Sequence, residues 1–496
     1  MGACGGPGSR LGCGRMKSPL ALFLAFAAAP LAADEWPHAV NTQKAGEHPP
    51  APAEQIEKMS VPEGFAVSLF AGEPHVRQPV AMTFDDRGRL WVVECYTYTG
   101  RKQFDRKLRD RIVIFEDRDT DGRFDERKVF WDEGERVFGI EWGFGGVWIV
   151  HAPHLSFLPD RDYDDVPDGP PEIKLDGFTT EAAHNNANGL RWGPDGWLWG
   201  RHGVLAASRA GTVGTPDEER SAFKASIWRY HPVRDQFEVV CTGGINPWGF
   251  DWNSVGEMFF TNNVNGHLFH LIPGARYRER FIPPAEAALE PYLDVCADHQ
   301  HWATGTKWNQ TDGGRGGATT AELGGGHSHC GAMIYLGDNW PDEYRDTLFT
   351  INTHGKRVNH ELLERRGSGY VARHGEDFLM ANAEWFRGVE LKYGPDGGVY
   401  LLDWCDAGEC HDHDGVHRGS GRIYKITHGR VEEGSPFDMR DFSDLELVEL
   451  QLVSNDWWVR QARRLLQERS LAYKLGDDVR DKLMRIYDHP DVTRRL

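Results

Sequence analysis

One short pattern recurs along the chain: an apolar strand, a Gly/Asp turn, then an aromatic-rich strand. It appears as AMTFDDRGRLWVVE from Ala81, IEWGFGGVWIV from Ile140, GLRWGPDGWLWG from Gly189, GFDWNSVGEMFFTN from Gly249 and GVELKYGPDGGVYLLDW from Gly388. A degenerate copy, GAMIYLGDNWPDEYRDTLFTIN, starts at Gly331. Asp-Gly and Gly-Gly turns tolerate positive φ and suit hairpins, and the flanking residues alternate or run apolar as strands do. The copies lie roughly 50 to 80 residues apart, room for a four-stranded sheet and its loops, which is the size of a propeller blade. Six copies predict an all-β fold, a six-bladed β-propeller over residues 61–430. The segment FAVSLFAG from Phe65 reads as an orphan strand that completes the last blade and closes the ring.

Past Gly429 the period changes. Leu445 to Val453 and Asp456 to Gln467 carry apolar residues at helical spacing, with an N-cap at Asn455 or Asp456. Two short amphipathic helices in tandem predict the start of HEAT-like repeats over 441–496, truncated where DHPDV opens another unit. A solenoid fragment without its neighbours cannot bury its apolar face, so this segment is expected to be marginally stable. At the other end, Lys17 precedes the apolar run Leu20 to Ala29, and Ala32 and Ala33 precede Asp34, the layout of a secretory signal. Residues 1–33 therefore read as upstream residues and a signal peptide, 34–60 as a linker, and the mature chain as exported, periplasmic or associated with the cell envelope. No later stretch is apolar for long enough to predict a transmembrane helix.

Composition narrows the partners. The formal charge of −19 is spread without a basic stripe, which excludes a nucleic-acid partner. The abundance of glycine and tryptophan fits tight turns and large flat side chains. Six cysteines follow the signal, Cys95, Cys241, Cys296, Cys330, Cys405 and Cys410; spacing leaves both disulfides and buried thiols open.

Three groups of residues carry candidate chemistry. Asp117, Asp119, Asp121 and Asp125 stand in DRDTDGRFD, the spacing at which a calcium loop presents oxygens, with Gly122 at the sharp turn. Asp160, Asp162, Asp164 and Asp168 repeat the pattern in DRDYDDVPD, and clustered carboxylates of this kind repel one another unless a cation neutralises them. His184 sits in the polar loop EAAHNNANG that feeds the inner strand of the third repeat, which places it at the channel mouth, where a neutral imidazole could take a proton from an alcohol. Finally, His327, His329, His354, Asp403 and His411, with His413 and His417 nearby, offer a transition-metal donor set. Cys405 and Cys410 are separated by four residues and do not form a haem-attachment motif.

The sequence around His184, with GRHG at Gly200–Gly203, INPWGF from Ile245, GEMFFTNN from Gly256 and GRIYKI from Gly421, resembles the soluble quinoprotein glucose/sorbosone dehydrogenases. Over the longer span from Val61 to Gly429, the phrases DNWPDEYRDTLFTINTHGKRVNHELLERRGSGY, WFRGVEL and DWCDAGECH are similar to the exported "membrane-bound dehydrogenase-like" propeller proteins of planctomycetes and verrucomicrobia. The resemblance implies His184 as the general base during hydride transfer to pyrroloquinoline quinone. It implies a cytochrome c acceptor whose haem belongs to a domain beyond Leu496, and a cofactor pocket that would hold Asn246 and Trp248, with Arg201, His202 or Arg387 supplying the positive charge absent at Ile245. At two positions the chain differs from that family: Ala183 precedes the histidine, and Ile245 precedes Asn-Pro.

The leading expectation is an exported oxidoreductase acting on a sugar or polyol. A non-enzymatic propeller that binds carbohydrate or protein, with Trp142, Trp192, Trp197, Trp199 and Trp248 as stacking platforms, is the second. A metal-dependent hydrolase or lactonase is the third.

Overall fold

The computed structural model describes residues 41–496 apart from 45, 101–102, 184, 265, 280–291, 302–320, 409–416 and 431–433. The signal segment, His184 and His411 lie outside the described residues.

Six antiparallel sheets form a ring. Their inner strands are Pro79–Phe84, Val137–Trp142, Asn188–Trp192, Asn246–Trp252, His329–Ile334 and Gly388–Tyr393. Each packs on the next, and the sixth packs on the first. These strands begin the six repeats recognised in the sequence, so the six-bladed propeller stands. Phe65–Gly72 pairs antiparallel with Arg422–His428 as the outermost strand of blade 6, so the N-terminal strand closes the ring as expected. Blade 2 carries two additional strands, Ser208–Thr212 and Ser221–Phe223, contributed by an excursion of blade 3.

Every inner strand carries one bulge at the same place. In each blade a single residue is skipped in the pairing: Val80, Phe138, Gly189, Trp248, Gly331 and Val389. A bulge inserts an unpaired residue and sharpens the local twist, which re-aims that side chain. Small residues beside it let adjacent strands meet. A Cβ on Gly249 would stand 2.3 Å from Ala332 N, and one on Gly139 would stand 2.8 Å from Gly189 N.

The expected linker ends in a short helix, α1 (Pro52–Ile56), seated on blade 6. There the fully buried Gln55 donates to Asp403 Oδ2 (3.0 Å) and to the Tyr424 hydroxyl (2.8 Å). The C-terminal segment forms α2 (Asp444–Glu449), α3 (Asp456–Ala472) and α4 (Asp477–Tyr487). Asn455 caps α3, accepting from Trp457 N at 3.0 Å. The expectation of an unburied apolar face is corrected here, because the propeller supplies the missing partner. Trp457, Ala462, Leu465 and Leu466 belong to the same buried cluster as Phe84, Tyr393 and Tyr400. Around them α3 reaches all six blades, blade 5 through Asp456 N, which donates to Leu336 O at 2.9 Å. Arg464 pairs with Asp86, Phe144 N donates to Glu468, Gln467 donates to Gly196 O, Arg460 pairs with Asp251, and Trp458 donates to Pro395 O. The helix thus lies across the end of the channel where the inner strands finish. Nothing in this packing identifies the segment as HEAT-like.

Cys95, Cys241, Cys296, Cys330 and Cys405 are free thiols. Among the described residues no helix is long and apolar enough to cross a membrane.

Candidate functional site at the channel mouth

With α3 across one end, the channel is open at the other, where the inner strands begin. A cavity of about 810 Å³, open mouth included, lies there. Four of the six bulge residues, Val80, Phe138, Trp248 and Val389, line it, so the repeated bulge turns a side chain from each of those blades into one space. In blade 3 the bulge residue is Gly189. Its missing side chain leaves room for the buried Arg201 guanidinium, which lies over the Phe250 ring at 5.3 Å. Tyr98 and Trp404 add aromatic walls.

The polar lining is mostly amide. Asn185, Asn186, Asn246 and Asn263 all face the cavity. Ile245 N and Asn246 N both donate to Asn262 Oδ1, at 2.8 and 2.7 Å, which fixes the Asn246 backbone. The Asn246 Oδ1 is buried without a hydrogen-bond partner, and so are both amide atoms of Asn186. Buried polar groups are normally satisfied, and orphans of this kind mark a place for a ligand or water.

The charged lining is sparse. Arg387 is 3% exposed and already donates to four backbone carbonyls, those of Gly408, Glu384, Phe386 and Ala407. Among the described residues Asp406 is the one carboxylate in the lining. Arg418 faces its Oδ2 at 3.4 Å, and the same guanidinium lies over the Trp404 ring at 4.8 Å.

Asn246, Trp248 and Arg387 all line the mouth. Arg201 and His202 do not line it. Arg201 is buried in the channel wall, where burial and the nearby Arg191 lower its pKa to about 10. His202 is fully buried with Nδ1 on Gly203 O and Nε2 on Ser208 Oγ, each at 2.8 Å, and burial holds it down at about 4. Ala183 and Asn185, on either side of His184, both line the cavity. Tyr98, Trp404, Asp406, Asn185, Asn186 and Asn263 were not singled out in the sequence, although the run NNAN was visible beside His184.

The two aspartate loops lie away from the mouth, at hairpin tips between the third and fourth strands of blades 1 and 2. They share one backbone plan. Asp117 accepts from Asp121 N and Gly122 N while Asp125 accepts from Arg118 N; Asp160 accepts from Asp164 N while Asp168 accepts from Arg161 N. Carboxylate oxygens of Asp117, Asp119 and Asp125 gather at one tip, and those of Asp160, Asp162 and Asp164 at the other. Burial first, then neighbouring aspartates, raise Asp160 to about 6; burial raises Asp117 to about 6 as well. Asp165, at the position of Gly122, instead binds Arg89 and Lys128.

Among the described residues the predicted histidine set does not converge. His327 and His354 stack on each other at 4.7 Å, while His329 packs against His267 and His301. Asp403 Oδ1 accepts from Arg387 N and Cys405 N, both at 2.8 Å, and holds blade 6 together rather than offering a ligand oxygen.

A family model described as "Domain of unknown function (DUF7133)" matches residues 51–430, from α1 to the closing strand of the ring. The chain belongs to this family. The DUF7133 propeller is similar in structure to a putative oxidoreductase (glucose dehydrogenase) of Thermus thermophilus, at 17% identity and a TM-score of 0.46, over 73% of this chain and 100% of that one. It is similar also to the pyranose dehydrogenase PQQ domain of Coprinopsis cinerea (13%, 0.44, 74% and 97%) and to virginiamycin B lyase of Staphylococcus aureus (11%, 0.37, 73% and 99%). No curated protein matches the chain. Likeness at this distance transfers no residue role.

Pyrroloquinoline quinone is a tricarboxylate, and its fit to the mouth is decided by charge. A trianion needs a cationic cradle, because a buried carboxylate without a partner is costly. Among the described lining residues the mouth offers one guanidinium, already occupied by carbonyls, and a carboxylate beside it. This donor set does not fit the quinone. It fits a neutral ligand rich in hydroxyls.

Proposed function

We propose that the DUF7133 propeller works on a sugar or polyol held at its channel mouth, as an exported oxidoreductase. The observation that carries this is the pairing of orphaned amides with aromatic walls: Asn186 and Asn246 offer unsatisfied donors and acceptors, and Trp248, Trp404 and Tyr98 offer flat apolar faces. Sugars present both kinds of surface, hydroxyls at the edge and C–H faces. The redox part rests on the family resemblance around His184, which would accept the proton of the substrate hydroxyl while a soluble quinone took the hydride and passed its two electrons singly to a cytochrome c. Calcium at the two aspartate loops belongs to the same proposal. Among the described residues the cation-poor lining favours recognition without quinone chemistry as the second reading, and the lone, paired Asp406 offers a lactonase no carboxylate cluster.

Calorimetric titration over a panel of neutral and acidic sugars and polyols tests the binding part. A neutral member should bind, and Trp248→Ala should weaken it about tenfold or more, roughly 1.4 kcal/mol. Binding confined to anions would overturn the reading. Dye-linked oxidation of the ligand that binds, with and without added quinone and Ca²⁺, tests the redox part. Turnover should fall on the order of 10² to 10⁴ in His184→Ala. Binding without turnover would leave a recognition module.

A further inference from the structure

Outside the cavity lining, beyond His329, blades 4 and 5 enclose a second cluster. His267 follows the second strand of blade 4, His299 and His301 lie on the segment leaving that blade, and Glu361 stands on the third strand of blade 5 (Arg357–Arg366). One donor atom from each of these four residues lies within 4.8 Å of the other three. Glu361 and His301 are fully buried and His267 is 3% exposed, while His299 keeps part of its ring at the surface.

The tautomers decide what the cluster needs. His301 Nδ1 is 3.1 Å from Leu323 O, and a carbonyl can only accept, so the proton sits on Nδ1. His299 Nδ1 is 3.1 Å from Asp298 Oδ1, which places its proton in the same way. In the neutral rings both Nε2 atoms then present lone pairs, and both point at Glu361. His301 Nε2 closes on Oε1, and His299 Nε2 lies 2.8 Å from Oε2 without hydrogen-bond geometry. His267 Nε2, 3.7 Å from Oε1, is likewise buried without a hydrogen-bond partner. Two nitrogen lone pairs and a carboxylate facing one another in a buried site, with the unpartnered His267 Nε2 beside them, repel unless a proton or a metal ion stands between them.

We propose that His267, His299, His301 and Glu361 bind a divalent first-row transition-metal ion that ties blade 4 to blade 5. Three imidazoles with one carboxylate suit zinc, manganese or iron, whereas calcium and magnesium take oxygen donors. Metal–nitrogen bonds of about 2.0–2.1 Å are reached by small movements of side chains already converged. The Nδ1 contacts to Leu323 O and Asp298 are the outer partners that orient metal-bound histidines. His374, with Nδ1 3.7 Å from Glu361 Oε1, stands ready as a fifth donor.

The full chain, stripped with a chelator and titrated with ZnCl₂ or CoCl₂, tests this. One equivalent should bind, and cobalt should produce the visible absorption of a nitrogen-rich site. His299→Ala, at the partly exposed rim, should stay folded by circular dichroism and lose affinity at least about tenfold. Glu361→Gln should lose it further, and His411→Ala should leave it unchanged. No saturable binding to the folded wild type overturns the proposal. So does full affinity in His299→Ala, or loss of binding in His411→Ala instead.

Discussion

The carboxyl of Asp110 shows how much single residues in this propeller are governed by burial. It is fully buried and accepts from Thr97 N, Thr97 Oγ1 and Val137 N, at 2.8–2.9 Å. Burial nevertheless outweighs these bonds and raises it to about 6. An unfolded aspartate titrates near ~3.9, so between that value and about 6 the folded chain holds the extra proton. Stability from this group therefore falls as pH rises through that window and is level above it. Asp110→Asn removes the titration, so the advantage of wild type over the variant should widen as pH falls from about 7 to about 4, by up to about 3 kcal/mol. Denaturant melts at several pH values measure it, and a gap that narrows on acidification would contradict the assignment. Asp251 has the opposite sign. Despite burial, Arg191 and Arg460 hold it below the usual range, so its contribution is present above the unfolded pKa and is lost in stronger acid.

At the scale of elements, legibility in the sequence followed locality. Five of the six blades announce themselves because an inner strand, a Gly/Asp turn and an aromatic second strand fit within about fifteen residues, and the turn needs residues tolerant of positive φ; Gly88, Gly196, Gly256 and Gly397 sit at these turns with φ between +72° and +83°. The Asn455 cap and the start of α3 are local in the same sense. The histidine cluster was not legible, because His267, His299, His301 and Glu361 are joined only by the packing of one blade on another. His329 was singled out for its HSHC neighbours, yet alternation along its strand puts Ser328 and Cys330 in the cavity and His329 beside the buried cluster. The role of α3 was missed for a related reason: amphipathic spacing shows that a face is buried and not what buries it. Arg464 on that helix is buried between Asp86 and Glu468. Arg464→Ala leaves two carboxylates without their cation, a loss of about 3–5 kcal/mol that should appear as a lower melting midpoint. In wild type, limited proteolysis should spare 456–472. Early cleavage there, with the propeller intact, would show that the helix is not held by the channel end.

A closed ring has one seam, and the whole molecule depends on it. Calcium, if taken by the hairpin tips of blades 1 and 2, should raise the melting temperature of the ring as a whole, since a ligand bound only by the folded state stabilises it by mass action; identical melts with Ca²⁺ and with chelator would remove calcium from the account. The seam itself is Phe65–Gly72 on Arg422–His428, among the described residues the one place where blade strands from the two ends of the propeller pair. Phe65 anchors it, meeting His428, Phe378, Tyr344 and Trp340 edge-on at centroid distances of 4.9–5.3 Å, so one side chain fastens the closing strand to blades 5 and 6 together. Opening the ring means peeling this strand away, and its contacts should be lost before the transition state for unfolding. Contacts absent from the transition state act on the unfolding rate alone. Phe65→Ala, costing about 2 kcal/mol for a partly exposed aromatic, should then unfold roughly 30-fold faster and refold at the wild-type rate. Phe237, a partly exposed aromatic of blade 3 packed on Trp228 of the same blade and on Phe178 and Phe223 at its border with blade 2, is the matched control away from the seam. Phe237→Ala should divide its effect between slower folding and faster unfolding, because blade 3 is still formed when the seam opens. Denaturant-jump kinetics on both variants separate the cases, and equal partitioning in the two would mean that the ring does not open at its seam.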